Sequence, residues 1–209
     1  MLRREESFTT GGTIERTLFG RIGDSDVYKY SLDSGSISCS VLDYGCTLQS
    51  LRVPDRHGRL VDVVLGYDDV GQYASLSGRM GATIGRFANR ICDGRLPIGD
   101  RVHQLSINRP PHHIHGGFRG FDRMVWDAVE YDDRHVTMRL ISKDGEEGYP
   151  GNLEAAVTYS LERNALTIRY RARSDQDTVC NLTNHSYFNL DGCGRIDEHK
   201  VFIDAGRHL

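Results

Sequence analysis

No stretch of the sequence runs apolar for the roughly eighteen residues that a membrane-spanning helix needs, and the leading "MLRREESFTTGG" lacks the apolar h-region of a signal peptide. Both absences predict a cytoplasmic protein with no membrane partner. Charge of one sign is also missing: a net charge of −3 and a pI near 6.3 give no electrostatic footing for nucleic acid. A substrate would then carry little charge. Cysteine is sparse and unpatterned, with Cys39, Cys46, Cys92, Cys180 and Cys193 forming an odd set without a C-x-x-C pair. That pattern fits reduced thiols better than a disulfide framework or a zinc site. Without a signal peptide, the overlapping sequons at Asn181 and Asn184 read as plain amides. Amphipathic helical windows are scarce, and only "DDVGQYASL" competes for a short helix.

What the sequence does have is period two. "SISCSVL" puts Ile37, Cys39 and Val41 on one face and serines on the other. "LEAAVTYSLERNALTIRYRARS" does the same over a longer span. Leu153, Ala155, Val157, Tyr159 and Leu161 point inward in its first arm, and Leu166, Ile168, Tyr170 and Ala172 in its second. "ERNA" between them reads as a hairpin turn, giving an antiparallel pair with one wet face. Dense punctuation by 23 glycines, with Tyr149-Pro150-Gly151-Asn152 suited to a type II turn, predicts an all-β sandwich or barrel. There is no internal repeat or linker, so residues 1–209 read as one domain. Its last stretch, "HKVFIDAGRHL", begins as an alternating strand and stops, which would leave an uncovered sheet edge and a route to self-association.

Three segments concentrate groups that chemistry can use. In "GATIGRFANRI", Asn89 and Arg90 combine a donor-acceptor amide with a fork of donors, which suits vicinal hydroxyls or a carboxylate. Arg90 could equally hold loop carbonyls. In "NRPPHHIHGGFRGFDRMVWDA", His113 and His115 share a side if the segment is extended, and Gly116-Gly117 permits close approach of a ligand. Such a pair can be half of a metal site in cupin-like jelly rolls, a solvated or structural cluster, or a catalytic or binding site. No nearby carboxylate and histidine completes a metal set. In "NLTNHSYFNLDG", His185 stands among Asn181, Asn184, Ser186, Tyr187 and Asn189. Amides that fix a histidine's orientation and tautomer describe a proton donor or acceptor working near neutral pH. A histidine that merely ties core strands together is the plainer alternative. Two histidines, an Arg-Asn pair and aromatics, with no nucleotide loop, fit the cofactor-free opening and closing of a sugar ring.

Together "GRFANRI", "IHGGFRGFDRMVW", "DGEEGYPGNLEAAVTYSL" and "NLTNHSYFNLDG" resemble the signatures of the aldose 1-epimerase (galactose mutarotase) family, in the family's order. The similarity runs from about "VLDYGCTLQSLRVPD" onward, and Ile114 replaces the usual leucine before His-Gly-Gly. The resemblance implies a large antiparallel β-sandwich and the interconversion of α and β anomers of free hexoses such as galactose and glucose. It implies no cofactor and no metal. By resemblance, His185 is the general acid that protonates the ring oxygen. His115 helps polarise that oxygen, and His115, Asn89 and Arg90 bind sugar hydroxyls. Ser186 and Tyr187 line the same site. The family's general base, a glutamate, and a sugar-binding aspartate lie in its C-terminal part and have no counterpart in these 209 residues. The resemblance therefore covers the N-terminal and central part of the family, with a sugar-binding sandwich that lacks the base as the alternative. Turn signals around Glu146 and Glu147 predict a surface loop.

Overall fold

The computed structural model describes residues 15–207, so the leading stretch read as lacking a signal region falls wholly outside the described residues. The chain opens with a five-stranded antiparallel sheet in sequence order: β1 (Glu15–Ile22), β2 (Ser25–Asp33), β3 (Ser38–Leu42), β4 (Thr47–Pro54) and β5 (Leu60–Asp62). Alternation sets its faces as expected, with Ile37, Cys39 and Val41 all buried. Next comes a short α-helix, α1 (Val70–Ser75), where Asp69 caps the first turn by accepting from the Gln72 amide at 3.2 Å.

Short ribbons fill the middle of the chain: β6 (Thr83–Ile84), β7 (Arg90–Ile91), β8 (Arg95–Ile98), β9 (Arg101–Gln104) and β10 (His113–Ile114). The second sheet is a four-stranded antiparallel meander of β11 (Asp127–Tyr131), β12 (His135–Ser142), β13 (Leu153–Glu162) and β14 (Ala165–Ser174). The β13–β14 hairpin turns at Arg163, which takes the left-handed φ of 53° that a tight two-residue turn demands. Gly151 likewise sits at φ 81° in the turn before β13.

The two sheets share one core. Tyr30, Leu32, Val41 and Leu48 of the first meet Val136, Met138, Val157 and Leu161 of the second, with Phe121 and Trp126 wedged among them. Each such fully buried side chain contributes about 1.5–3 kcal/mol, so this apolar interface is the main force holding sheet on sheet. Polar atoms inside it are matched: Trp126 Nε1 donates to the Phe121 carbonyl at 3.1 Å, and the Tyr159 hydroxyl donates to the Cys46 carbonyl at 2.9 Å. All five cysteines are free thiols.

Two expectations change. The inner face of β14 is only half-buried at Leu166, Ile168 and Tyr170 and exposed at Ala172, because among the described residues β14 pairs with β13 alone and is the edge of its sheet. The stretch after His199 is not a strand: Val201, Phe202 and Ile203 are 82%, 89% and 73% exposed. Alternating apolarity makes a strand only where a neighbour offers a ladder, and no described strand does so there.

Candidate active site

The last strand, β15 (Thr183–Asn184), pairs antiparallel with β6 and brings "NLTNHS" against "GATIGRFAN". Backbone bonds extend this zipper on both sides. His185 N donates to the Ala82 carbonyl at 2.9 Å, Gly81 N to the His185 carbonyl at 3.1 Å, and Ala88 N to the Asn181 carbonyl at 2.9 Å. Meanwhile β7 pairs with β10, setting Arg90 opposite Ile114. The residues just outside this pair close the corner: His115, after β10, donates its N–H to the carbonyl of Asn89, before β7, at 3.1 Å. These two zippers carry Asn89, Arg90, His115 and His185 to one place.

The imidazoles of His115 and His185 stand edge to face, with centroids 5.4 Å apart, and Tyr187 lies 5.2 Å beyond His185. The Asn89 backbone N–H donates to His115 Nδ1 at 2.9 Å. That bond leaves the proton on Nε2, so His115 is a neutral N–H donor toward the site. Burial pushes the His115 pKa down to about 4, and the positive charges of Arg79, His185 and Arg90 act the same way. Asn89 and Arg90 are exposed, with an Arg90 Nη1 to Asn89 Oδ1 contact of 3.4 Å. The Ser186 hydroxyl oxygen is buried and has no hydrogen-bond partner among the described residues. A cleft of about 850 Å³ lies alongside, lined by Val64, Leu65 and Phe188, and touches the cluster through Ser186 and Tyr187. Neutral donors, a guanidinium and an aromatic face on an open surface suit a polyhydroxylated, uncharged ligand.

Several assignments read from spacing are corrected here. His113 and His115 do not form a pair, because β10 ends at Ile114 and His115 turns to a left-handed φ of 54°. His113 is buried instead, with Nε2 2.6 Å from the Tyr149 hydroxyl and Nδ1 2.7 Å from the Ser106 carbonyl. The amides around His185 hold backbone rather than its ring. Asn184 Nδ2 donates to the Gly81 carbonyl at 2.8 Å, and Asn189 Nδ2 to the Cys193 carbonyl at 3.1 Å. Holding loop carbonyls, a role open to Arg90, falls to Arg86. It is buried and donates to the carbonyls of Ser142, Lys143 and Pro150 at 3.0, 2.8 and 2.9 Å. Glu147 is no free surface carboxylate. Its oxygens accept from the backbone of Phe118 and Arg119, next to the His115 turn, at 3.1 and 2.7 Å.

Spacing also missed Arg79, whose Nε lies 3.1 Å from the buried Asp122 carboxylate and whose charge reaches His115. Nothing in its local sequence marks it. Among the described residues one grouping has metal-capable donors within 4.8 Å of one another, Cys92, Asp93 and His112. It is exposed, and His112 Nδ1 already accepts from the Asp93 amide at 3.2 Å. His112 has no part in the His115–His185 cluster.

The profile described as aldose 1-epimerase matches residues 28–209. The chain is 44% identical to mouse galactose mutarotase, covering 94% of this chain and 58% of that protein, and 42% identical to the human one at the same coverage. It is 40% identical to the Escherichia coli aldose 1-epimerase over 81% of this chain and 50% of that protein. The chain thus spans little more than half the length of the curated relatives it matches. Among solved structures, the aldose epimerase homologue from C. elegans superposes with a TM-score of 0.76 at 32% identity, over 79% of this chain and 51% of that one. Galactose 1-epimerase from Lactobacillus acidophilus gives 0.75 at 32% identity, over 86% and 54%. On the match across most of its length, this chain belongs to the aldose 1-epimerase family.

Proposed function

We propose that the His115–His185 cluster binds a free hexose such as galactose or glucose and catalyses interconversion of its α and β anomers. His185 donates a proton to the ring oxygen as the C1–O5 bond breaks and the anomeric hydroxyl gives its proton to a base. The open-chain aldehyde rotates about C1–C2, and the reverse transfers close the ring on the other face. His115 adds its Nε2–H to the ring oxygen, and Asn89 and Arg90 bind sugar hydroxyls, with Ser186 and Tyr187 lining the same site. The observation that supports this reading most is the paired rings, one fixed as a neutral donor by the Asn89 amide. The relatives' names, galactose mutarotase and aldose 1-epimerase, point the same way.

A second reading, a sugar-binding sandwich without turnover, is favoured by one observation. Among the described residues no carboxylate lies within ion-pair distance of either ring. Polarimetry of freshly dissolved α-galactose and α-glucose separates the two. Acceleration over the spontaneous rate, absent in His185→Ala, supports catalysis. Sugar binding without acceleration supports the second reading, and neither binding nor acceleration sinks both. Self-association through the β14 edge is the accompanying reading of the assembly. Sedimentation at rising concentration tests it, and a constant monomer mass rejects it.

A further inference from the structure

The turn that carries His115 is costly for a backbone. His115, Gly116 and Gly117 follow one another at φ 54°, 82° and 101°, all in the left-handed half of the map. Glycine meets that requirement without strain at two of the positions, but His115 does not, so something outside the turn must hold it. A Cβ on Gly116 would sit 1.7 Å from the Gly85 carbonyl oxygen, which shows how closely the turn is pressed against "GRFAN".

Two side chains grip the turn from opposite ends. Asn108 spans it: Oδ1 accepts from Ile114 N at 2.8 Å, while Nδ2 donates to the carbonyls of Ile114 at 2.9 Å and Gly117 at 2.8 Å. Two donations and one acceptance from a single amide on both sides of His115 is a set that a carboxylate or hydroxyl cannot supply. Glu147 grips the exit, with Oε1 on Arg119 N at 2.7 Å and Oε2 on Phe118 N at 3.1 Å, and it also accepts from the Ser106 hydroxyl. Every partner of that carboxylate is a donor, so an amide in its place would turn an N–H toward another N–H or O–H. Glu147 is itself held at φ 53°, in the 3-10 turn that also brings Tyr149 onto His113.

We propose that Asn108 and Glu147 are positioning residues for His115, which together lock the His115-Gly116-Gly117 turn so that the His115 ring faces His185. Neither touches the proposed sugar. Their effect on the site passes through the placement of His115 against Asn89 and His185. The inference rests on the reading of His115 as a sugar-site residue, and its test does not need turnover.

The test is titration of the histidine ring signals by NMR in the full chain, with His115 assigned from His115→Gln. In the unaltered chain the ring stays neutral down to about 4, because it is half-buried and feels the positive charges of Arg79, His185 and Arg90. Asn108→Leu keeps the shape, adds no charge and removes the whole set of bonds; the freed ring gains solvent, and its midpoint is expected to rise by at least one unit, a tenfold change in proton affinity. Glu147→Gln leaves Asn108 intact and is expected to move the midpoint in the same direction. A folded variant of either kind with an unmoved His115 midpoint overturns the proposal. Amide exchange in the unaltered chain is the arm that needs no variant. Ile114, Phe118 and Arg119 N–H groups are expected to be protected nearly as well as β13, and rapid exchange at all three overturns it. If these results hold while the chain binds no hexose, the sugar reading fails and the positioning stands. If hexose binds and the titration is unmoved, the reverse is true.

Discussion

The rings of His115 and His185 meet edge to face with their planes 88° apart, although one follows β10 and the other follows β15. Among the described residues only His115 is held by a backbone donor at Nδ1, so His115 presents a fixed N–H, and the proton exchange proposed above is assigned to His185. His185→Ala is expected to lower any mutarotation by a hundredfold or more, on the order of what a general acid contributes, with thermal unfolding little changed. Full activity in that variant removes His185 from the chemistry.

Arg90 is exposed, and its one side-chain partner among the described residues is Asn89, at 3.4 Å. Losing it disturbs little of the fold. Arg90→Ala is expected to weaken hexose binding by about tenfold, the equivalent of one charge-assisted hydrogen bond, with stability within about 0.5 kcal/mol of the parent. Calorimetric titration with galactose is the measurement, and an unchanged dissociation constant takes Arg90 out of the site.

Arg86, one residue earlier in the same motif than Phe87, behaves in the opposite way. Its guanidinium ties Ser142, Lys143 and Pro150 together in the interior, and burial lowers its pKa. Arg86→Met fills similar space but orphans three carbonyls, so a loss of about 3–5 kcal/mol is expected. Urea unfolding reads this directly; a loss under about 1 kcal/mol would show that water replaces the guanidinium at little cost.

Asp43 is buried beneath β2, accepting from Tyr28 N at 2.9 Å, and burial pushes its pKa up to about 6. The folded protein therefore holds a proton that the unfolded chain has released between pH 4 and 6, so this carboxyl lowers stability as pH rises through that window. Asp43→Asn keeps the acceptor and cannot ionise. It is expected to match the parent near pH 4 and exceed it at pH 8 by on the order of 2–3 kcal/mol. His115 works in the other direction. With its pKa depressed to about 4, stability is lost as pH falls from the ordinary histidine value of about 6.5. Unfolding midpoints of parent and variant across pH 4–8 separate the two, and a variant less stable than the parent at pH 8 sinks the assignment to Asp43.

The β-sandwich was legible because burial alternates with a period that the residues themselves carry. Leu153, Ala155, Val157, Tyr159 and Leu161 are apolar at every second place and are all buried in β13. The turn at Arg163, the helix capped by Asp69 and the free cysteines were equally local matters of spacing and side-chain type. Sequence alone also singled out His115, His185, Asn89 and Arg90, because unusual polar density inside apolar runs is visible without coordinates. It could not say which groups would meet. That His113 turns inward to Tyr149 while His115 turns toward His185, that Arg86 rather than Arg90 holds the carbonyls, and that Asn108 and Glu147 clamp the His115 turn were decided by pairing between distant segments. A side chain's donors and acceptors are fixed by its type, but its partners depend on register, and register is set only when the whole sheet closes on its core.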